Sequence, residues 1–265
     1  MPQSKEEHAT PPDTTAVKRR ASILLHIFTK ALATPPETVV ARFDESSMAV
    51  EKAKLAGGFE EMFQKQREKL RSGGLWEDME ESEREFMNAG IFETTTRQRI
   101  NASWMAESIL CLLWALGLKE QIPAYDQQYD LRSDTASGAD RLRDANQNAA
   151  LRPQAEIEQQ RDQAEMWHWR CRTHRLLTAG QIPDALPDGT PMTEIIRMTA
   201  EKAAEEGVFA QPIGGDFPVF GKAFREISED ELGQLTSIAM ERRKAMNWLS
   251  GYAPGNRWSK TPTDT

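Results

Sequence analysis

Five ionisable side chains in this chain fall on helical faces that are otherwise apolar, and they are where chemistry could reside. Glu107 lies among Trp104, Ile109, Cys111 and Trp114. His168 lies among Ala164, Trp167 and Cys171, with Arg172 one turn on. Glu241 interrupts the stripe Ile238, Ala245, Trp248, and Arg242 interrupts the stripe Leu232, Leu235, Ala239, Met246, Leu249. A carboxylate and an imidazole together can move a proton, and an arginine beside them can bind an anion or neutralise a developing charge. The same groups can also do no chemistry. An unpaired buried charge costs several kcal/mol, roughly, so ionisable groups on buried faces are expected to meet each other. The simplest joint solution is a polar network between three helices, in which arginine forks to carboxylate and histidine takes the remaining acceptor. A structural network that fixes helix register is the reading with most weight. A ligand pocket built from the same groups comes second and a catalytic site third.

Sharper chemistries fit less well. Glu165-Met166-Trp167-His168 has the Glu-x-x-His spacing of di-metal helix bundles, but such a centre needs a second pair and further helical carboxylates, and the chain has no second Glu-x-x-His. There is no His-Glu-x-x-His, Gly214-Gly215 lacks the flanks of a phosphate loop, and no Gly-x-Ser-x-Gly elbow occurs. Cys111 and Cys171 stand alone in helical patterns and read as buried free thiols. The seven tryptophans are expected to pack helices, not to form a cofactor or sugar platform. No metal and no cofactor is expected.

The elements that must position these residues are helices. Arg97 to Leu118 is the organising one: from Trp104 it is apolar on nearly every side, which predicts a helix buried all round, with Gly117 as its left-handed cap. Before it, residues 1–15 read as a disordered tail, Ala16 to Ala33 as an amphipathic helix, and Ser47 to Leu70 as a second one that Gly57-Gly58 should break or kink. Ser82 to Glu85 has capping-box spacing for a short helix. After it, Tyr125 to Asn148 reads as a long loop with one helical turn near Leu142. A long helix starts at Pro153 and runs to about Leu177, and another spans about Met192 to Glu206, stopped by Gly207. Gly221-Lys222 suggests a type II′ hairpin turn between Val219-Phe220 and Ala223-Phe224. Ser228 to Glu231 is a capping box opening the last helix, Glu229 to Ser250, with Gly251 behind it. The expected fold is mainly α, a multi-helix globular bundle around a buried central helix with at most a small β-hairpin. The expected domains are the 1–15 tail and a single helical domain over 16–265.

Composition narrows the partners. The 265 residues carry 33 Lys and Arg against 41 Asp and Glu, a formal charge of -8. Nucleic acid is a poor partner for such a chain, since phosphate binding needs a concentrated basic surface. The N-terminal stretch has no apolar core of a signal peptide, and Ile109 to Leu118 is too short to span a bilayer. A cytoplasmic protein without a membrane partner is expected.

The residues also resemble a known family. Arg99-Ile100-Asn101-x-Ser103-Trp104-x-x-Glu107 with Leu113-Trp114-Ala115-Leu116-Gly117 is followed by His168-Trp169-x-x-Arg172-x-x-Arg175 and Gly221-Lys222-x-Phe224-x-Glu226. Then come Ser237-Ile238-x-x-Glu241-Arg242-x-x-Ala245-x-Asn247-Trp248-Leu249-x-Gly251 and the closing Trp258 with Thr263-Asp264-Thr265. Together these resemble the bacterial family known as domain of unknown function 4272, over about residues 75–265, with a looser match at Arg20 to Leu24. The resemblance implies a soluble, mostly helical bacterial protein and no particular activity. It includes Glu107, His168, Arg172, Glu241 and Arg242, and adds Asn247 to the candidate network. Two positions depart from the family's pattern: Arg243 stands where the family often has His, and Ser259 where Asp usually follows the tryptophan.

Two functions remain open. One is a non-enzymatic binding or interaction module for a protein partner or small ligand. The other is a hydrolase- or transferase-type enzyme using Glu107, His168 and Glu241 in a core pocket. On either reading, protein purified without added metal should contain no stoichiometric zinc, iron or manganese by elemental analysis.

Overall fold

The computed structural model describes residues 10–43, 48–133 and 149–263. They form helices α1 (Thr14–Ala33), α2 (Glu37–Phe43), α3 (Ala49–Ser72), α4 (Glu81–Asn88), α5 (Thr96–Ala115), α6 (Gln154–Thr178), α7 (Met192–Glu205) and α8 (Glu229–Leu249). A two-stranded antiparallel hairpin, β1 (Pro218–Val219) and β2 (Lys222–Ala223), and short 3₁₀ turns complete them. The fold is mainly α. Helix α5 is central, packing against α1 on one side and α8 on the other, and α6 covers α8. One hydrophobic cluster runs through these layers from Val17 to Trp258.

The central position of α5 follows from its sequence. Every residue from Ala106 to Leu116 is buried, so this half of the helix has no polar face to offer water. A capping box of Thr95 and Gln98 opens it, and Gly117 at φ 70° closes it. Its neighbour α1 begins at Thr14, two residues before the expected start, because Asp13 caps it: the carboxylate accepts from Ala16 N at 2.8 Å. The face it turns to the core, Val17, Ala21, Leu24, Phe28 and Ala31, repeats at three and four residues and is fully buried.

Three local expectations are corrected. Helix α3 is unbroken through Gly57-Gly58. Glycine there lowers helix propensity by about 1 kcal/mol per residue but removes no ladder hydrogen bond, and both positions face open space. The box at α4 is formed by Glu80 and Glu83, two residues before Ser82 and Glu85: Glu80 N donates to the Glu83 carboxylate at 2.8 Å. Glu83 is fixed at that position because Arg20 Nη1 of α1 donates to both of its carboxylate oxygens, at 2.9 and 3.0 Å. The hairpin turns on Phe220-Gly221, not Gly221-Lys222, since Val219 pairs with Lys222. Both central residues have positive φ, 51° and 75°, which makes the turn type I′. Phe220 is held in this unfavourable region by an N–H bond to Asp126, at 3.0 Å. The helical turn expected near Leu142 lies outside the described residues.

The C-terminal stretch folds back onto the bundle. Trp258 is 3% exposed and meets Trp248 edge to face at 5.5 Å, with Arg20 over its ring. Trp248 Nε1 donates to Asn256 O at 2.9 Å, and Ser259 N donates to Glu80 at 3.0 Å. Asp264 and Thr265 lie outside the described residues. Replacing Trp258 by alanine should cost about 3–5 kcal/mol, the usual loss for a buried tryptophan. An unfolding midpoint in urea lowered at unchanged slope would show it.

Candidate functional site

Arginine 242 and Glu107 are the most deeply buried of the candidate residues, 1% and 0% exposed. They meet between α8 and α5, Arg242 Nε donating to Glu107 Oε2 at 2.9 Å. The contact is a single bond, not the expected fork. The rest of the guanidinium is spent on backbone: Nη1 donates to Pro123 O at 2.6 Å and Nη2 to Gln127 O at 3.1 Å. The ring of Tyr125 lies 4.7 Å beneath its carbon. The second oxygen of Glu107 accepts from Tyr129 N at 2.7 Å, so a backbone amide, not His168, takes the remaining acceptor. A cation and an anion are thereby satisfied by one loop, residues 123–129, wrapped around them. Proteins seldom bury such a pair without these extra bonds, because desolvation would outweigh the attraction.

Glu241 precedes Arg242 and Ser108 follows Glu107, and these two also pair. Ser108 Oγ lies 2.6 Å from the Glu241 carboxylate and donates to it. Two adjacent residues of α8 are thus matched to two adjacent residues of α5. Burial raises the Glu241 carboxyl above its ordinary value, with Glu107 adding to the rise and Lys244 and Ser108 opposing it.

His168 belongs to a second cluster. Arg243 of α8, 4% exposed, lies between Glu165 and His168 of α6: Nη1 is 3.2 Å from His168 Nδ1, and Nε and Nη2 donate to Glu165 at 3.3 Å each. The Glu-x-x-His pair therefore converges on a guanidinium. A permanent cation already balances the carboxylate there, which disfavours a divalent metal between the same groups. In place of the expected three-helix network there are two clusters, both anchored on α8. Arg172 is exposed on α6 and does not sit with Glu107. Asn247 is buried and donates from Nδ2 to Pro262 O at 2.8 Å, tying the C-terminal stretch to α8. Burial pushes both thiols, Cys111 and Cys171, up to about 12, so neither is a thiolate nucleophile at neutral pH. Among the described residues no three His, Cys, Asp or Glu side chains gather as a metal would require.

Several buried charges escaped the sequence reading. Arg170 is 1% exposed and binds Asp216 bidentately, Nε to Oδ1 at 2.8 Å and Nη2 to Oδ2 at 2.7 Å. Lys30, fully buried, donates to Phe86 O and Ala89 O at the end of α4, between the rings of Phe63 and Phe86. Burial brings its ammonium down to about 8, with nearby Arg67 adding to the fall. Their signal was present: each sits on the buried stripe of its helix, Lys30 beside Ile27 and Ala31, Arg170 beside Trp167 and Cys171.

Three open spaces lie elsewhere. A groove of about 980 Å³ is lined by the start of α1, the connection into α4 and the 256–260 turn, including Arg19, Arg84 and Arg257. A cavity of about 350 Å³ is walled by α6, α7 and the Gly214-Gly215 turn. A third, of about 300 Å³, lies at Lys119, Pro123 and Asp130. None of these three is lined by Glu107, His168, Glu241 or Arg242.

The family model described as Domain of unknown function (DUF4272) matches residues 1–193, and the chain belongs to that family. The match includes the N-terminal helices, where the residues suggested a start near 75, and ends at the start of α7. Helix α1 and the α5 it packs along both lie within the matched residues. No curated protein and no solved structure matches the chain. No helix among the described residues is long and apolar enough to cross a membrane.

The raised Glu241 carboxyl gives a test of sign. A carboxyl whose folded value lies above its unfolded one makes the folded state bind the extra proton, so it costs stability above that range and the cost disappears as pH falls. Glu241→Gln should therefore leave the protein as stable as wild type or more stable at pH 7.5. That advantage should shrink toward pH 4.5, as read from urea midpoints at the two pH values.

Proposed function

We propose that this member of the DUF4272 family is a non-enzymatic binding module of the bacterial cytoplasm, in which the buried Glu107, Arg242, His168 and Arg243 are scaffold. The observation that carries this reading is spatial separation. Glu107, Arg242, His168 and Arg243 are buried and bonded and half-buried Glu241 is bonded to Ser108, whereas the cavities described above are lined by other residues. A general acid or base needs a reacting atom within hydrogen-bond reach. Both oxygens of Glu107 are taken, and its partner Arg242 spends its donors on Glu107 and on loop carbonyls. Small-molecule sites, in contrast, are concave and keep polar groups in reserve. The groove beside α1 and the cavity beside α6 supply that kind of space, one for a partner segment and one for a small ligand.

The test is stability at Glu107. Removing the carboxylate strands Arg242 in the core, so Glu107→Ala should cost about 3–5 kcal/mol. Glu107→Gln keeps the shape and the Tyr129 contact and should cost less, while remaining plainly destabilising. Arg242→Met should be partly rescued by Glu107→Gln, as expected of directly paired groups. A residue kept for catalysis behaves in the opposite way, since removing a strained active-site charge often leaves stability unchanged or raises it. Equal or higher melting temperature for Glu107→Gln, measured by calorimetry, would overturn the scaffold reading.

A further inference from the structure

The cavity beside α6 holds a polar group in reserve. Arg170 turns two of its nitrogens to Asp216, but its buried Nη1 has no hydrogen-bond partner. Leaving a buried charged donor unbonded is costly, and Arg170 lines a cavity of about 350 Å³. That volume is at the lower end of small-molecule sites, about 300–1,000 Å³.

The Gly214-Gly215 turn in the same lining is built for close approach. Ile213 and Asp216 exchange both backbone bonds at 3.0 Å, closing a turn on Gly214-Gly215 with φ of 58° and 75°. Two successive positive φ values favour glycine, and here the missing side chains matter as much. A Cβ on Gly214 would lie 2.8 Å from Arg225 Nη2, and one on Gly215 would lie 3.3 Å from Arg197 Cγ. The glycines let two arginines lie against the turn.

Charge completes the case. Asp216 is saturated by Arg170 and by the amides of Phe217 and Arg225. Arg197 is bonded by Glu194 and Glu201. Arg225 is exposed, and its guanidinium donates to Gly214 O at 2.9 Å, with no carboxylate paired to it among the described residues. His174 in the same lining is held below its ordinary value by burial and by Arg170, against Asp216 and Glu229, and so is neutral at pH 7. Two carboxylates on Arg197 balance the local charge, so what the cavity retains is a guanidinium at Arg225 that no carboxylate bonds among the described residues and one unbonded donor at Arg170. Leu177 and Ile196 form its apolar side.

We propose that this cavity binds a small organic anion, its carboxylate or phosphate group held by Arg170 Nη1 and Arg225 over the Gly214-Gly215 turn and its apolar body against Leu177 and Ile196. The proposal rests on the reading of the chain as a binding module and names what that module takes.

Titrating the full chain at pH 7 with benzoate, phenyl phosphate and neutral benzyl alcohol, followed by two-dimensional amide NMR, tests it. Saturable binding of at least one anion is expected, with shifts centred on the amides of Gly214, Gly215 and Arg225 and none of comparable strength from benzyl alcohol. The two anion arms distinguish a carboxylate site from a phosphate site. Arg225→Gln, a change at an exposed residue, should weaken binding about tenfold or more, the loss of one charge-assisted hydrogen bond. Failure of both anions to saturate at millimolar concentration, equal binding of benzyl alcohol, or unchanged affinity in Arg225→Gln overturns the site and means that Arg170 Nη1 holds water only. Should the variant not fold, the location of the wild-type shifts decides: shifts centred elsewhere overturn the site. Product signals appearing in the same spectra would keep the site and overturn the non-enzymatic reading instead.

Discussion

A single charge pair, Arg242 with Glu107, holds the centre of this molecule together, and its importance lies less in the ionic contact than in what surrounds it. Helix α5 is apolar from Ala106 to Leu116 with Glu107 and Ser108 as the polar exceptions. Taking the Glu107 carboxylate out of water is costly, and one bond from Arg242 would not offset that cost. The loop 123–129 supplies the rest, giving carbonyls to the arginine, an amide to the carboxylate and the ring of Tyr125 below. The dependence is mutual. Without the pair the loop's polar backbone would have no partners in the core, and without the loop the pair would be underbonded. Tyr125 in turn stacks on Trp167 of α6 at 5.1 Å, and Asp126 anchors the hairpin at Phe220. A local solution to one desolvation problem thereby orients the loop, α6 and the hairpin together.

Helix α8 distributes its charges by simple geometry. Successive residues on a helix point about 100° apart, so Glu241, Arg242 and Arg243 cannot serve one site. Glu241 and Arg242 straddle the contact with α5, reaching Ser108 and Glu107, and Arg243 points toward α6, reaching Glu165 and His168. The α8 face is therefore keyed in register to two neighbours at once. A slip of either helix would leave a buried charge unpaired, which is how such pairs specify one arrangement.

Much of this was legible in the chain because helical periodicity carries it. The all-round apolarity after Trp104 marked α5 as central. That apolar run marked Glu107, and the stripes on the Pro153 helix and the last helix marked His168, Glu241 and Arg242, as buried or half-buried. Pairing was harder to read. Arg172 lies one turn from His168, yet the helix turns it to solvent, while Arg243, beside the identified Glu241 and Arg242, is the residue that meets His168. The partners that complete the core pair, the backbone of Pro123, Gln127 and Tyr129, have no side-chain signature, because every residue carries an amide and a carbonyl. Asp216 escaped for a related reason: it lies in a turn with no period, and only the fold brings it to Arg170. Phe220 displaced the hairpin by one position because Asp126, far off in sequence, holds a conformation that its own side chain disfavours.

Several buried and half-buried cations share one physical task. Helix ends and irregular connections present carbonyls that no ladder satisfies, and a core this thick leaves some of them away from water. Lys30 bonds Phe86 O and Ala89 O at the end of α4, and Arg67 adds Met87 O. Arg20 takes Asp78 O, Arg152 takes Trp114 O and Lys119 O beyond α5, and Arg242 takes Pro123 O and Gln127 O. Cations suit helix C-termini, where the carbonyl dipoles converge, and the planar guanidinium reaches several carbonyls from one stem. The same long side chains that would suggest an anion site in isolation are thus consumed as clamps on the backbone. Arg170 and Arg225 stand apart from this pattern. Arg170 leaves a buried nitrogen unbonded, and Arg225 meets a single turn carbonyl with no carboxylate beside it. Arg170 and the exposed Arg225 border the same cavity, each with donors that no protein group takes up.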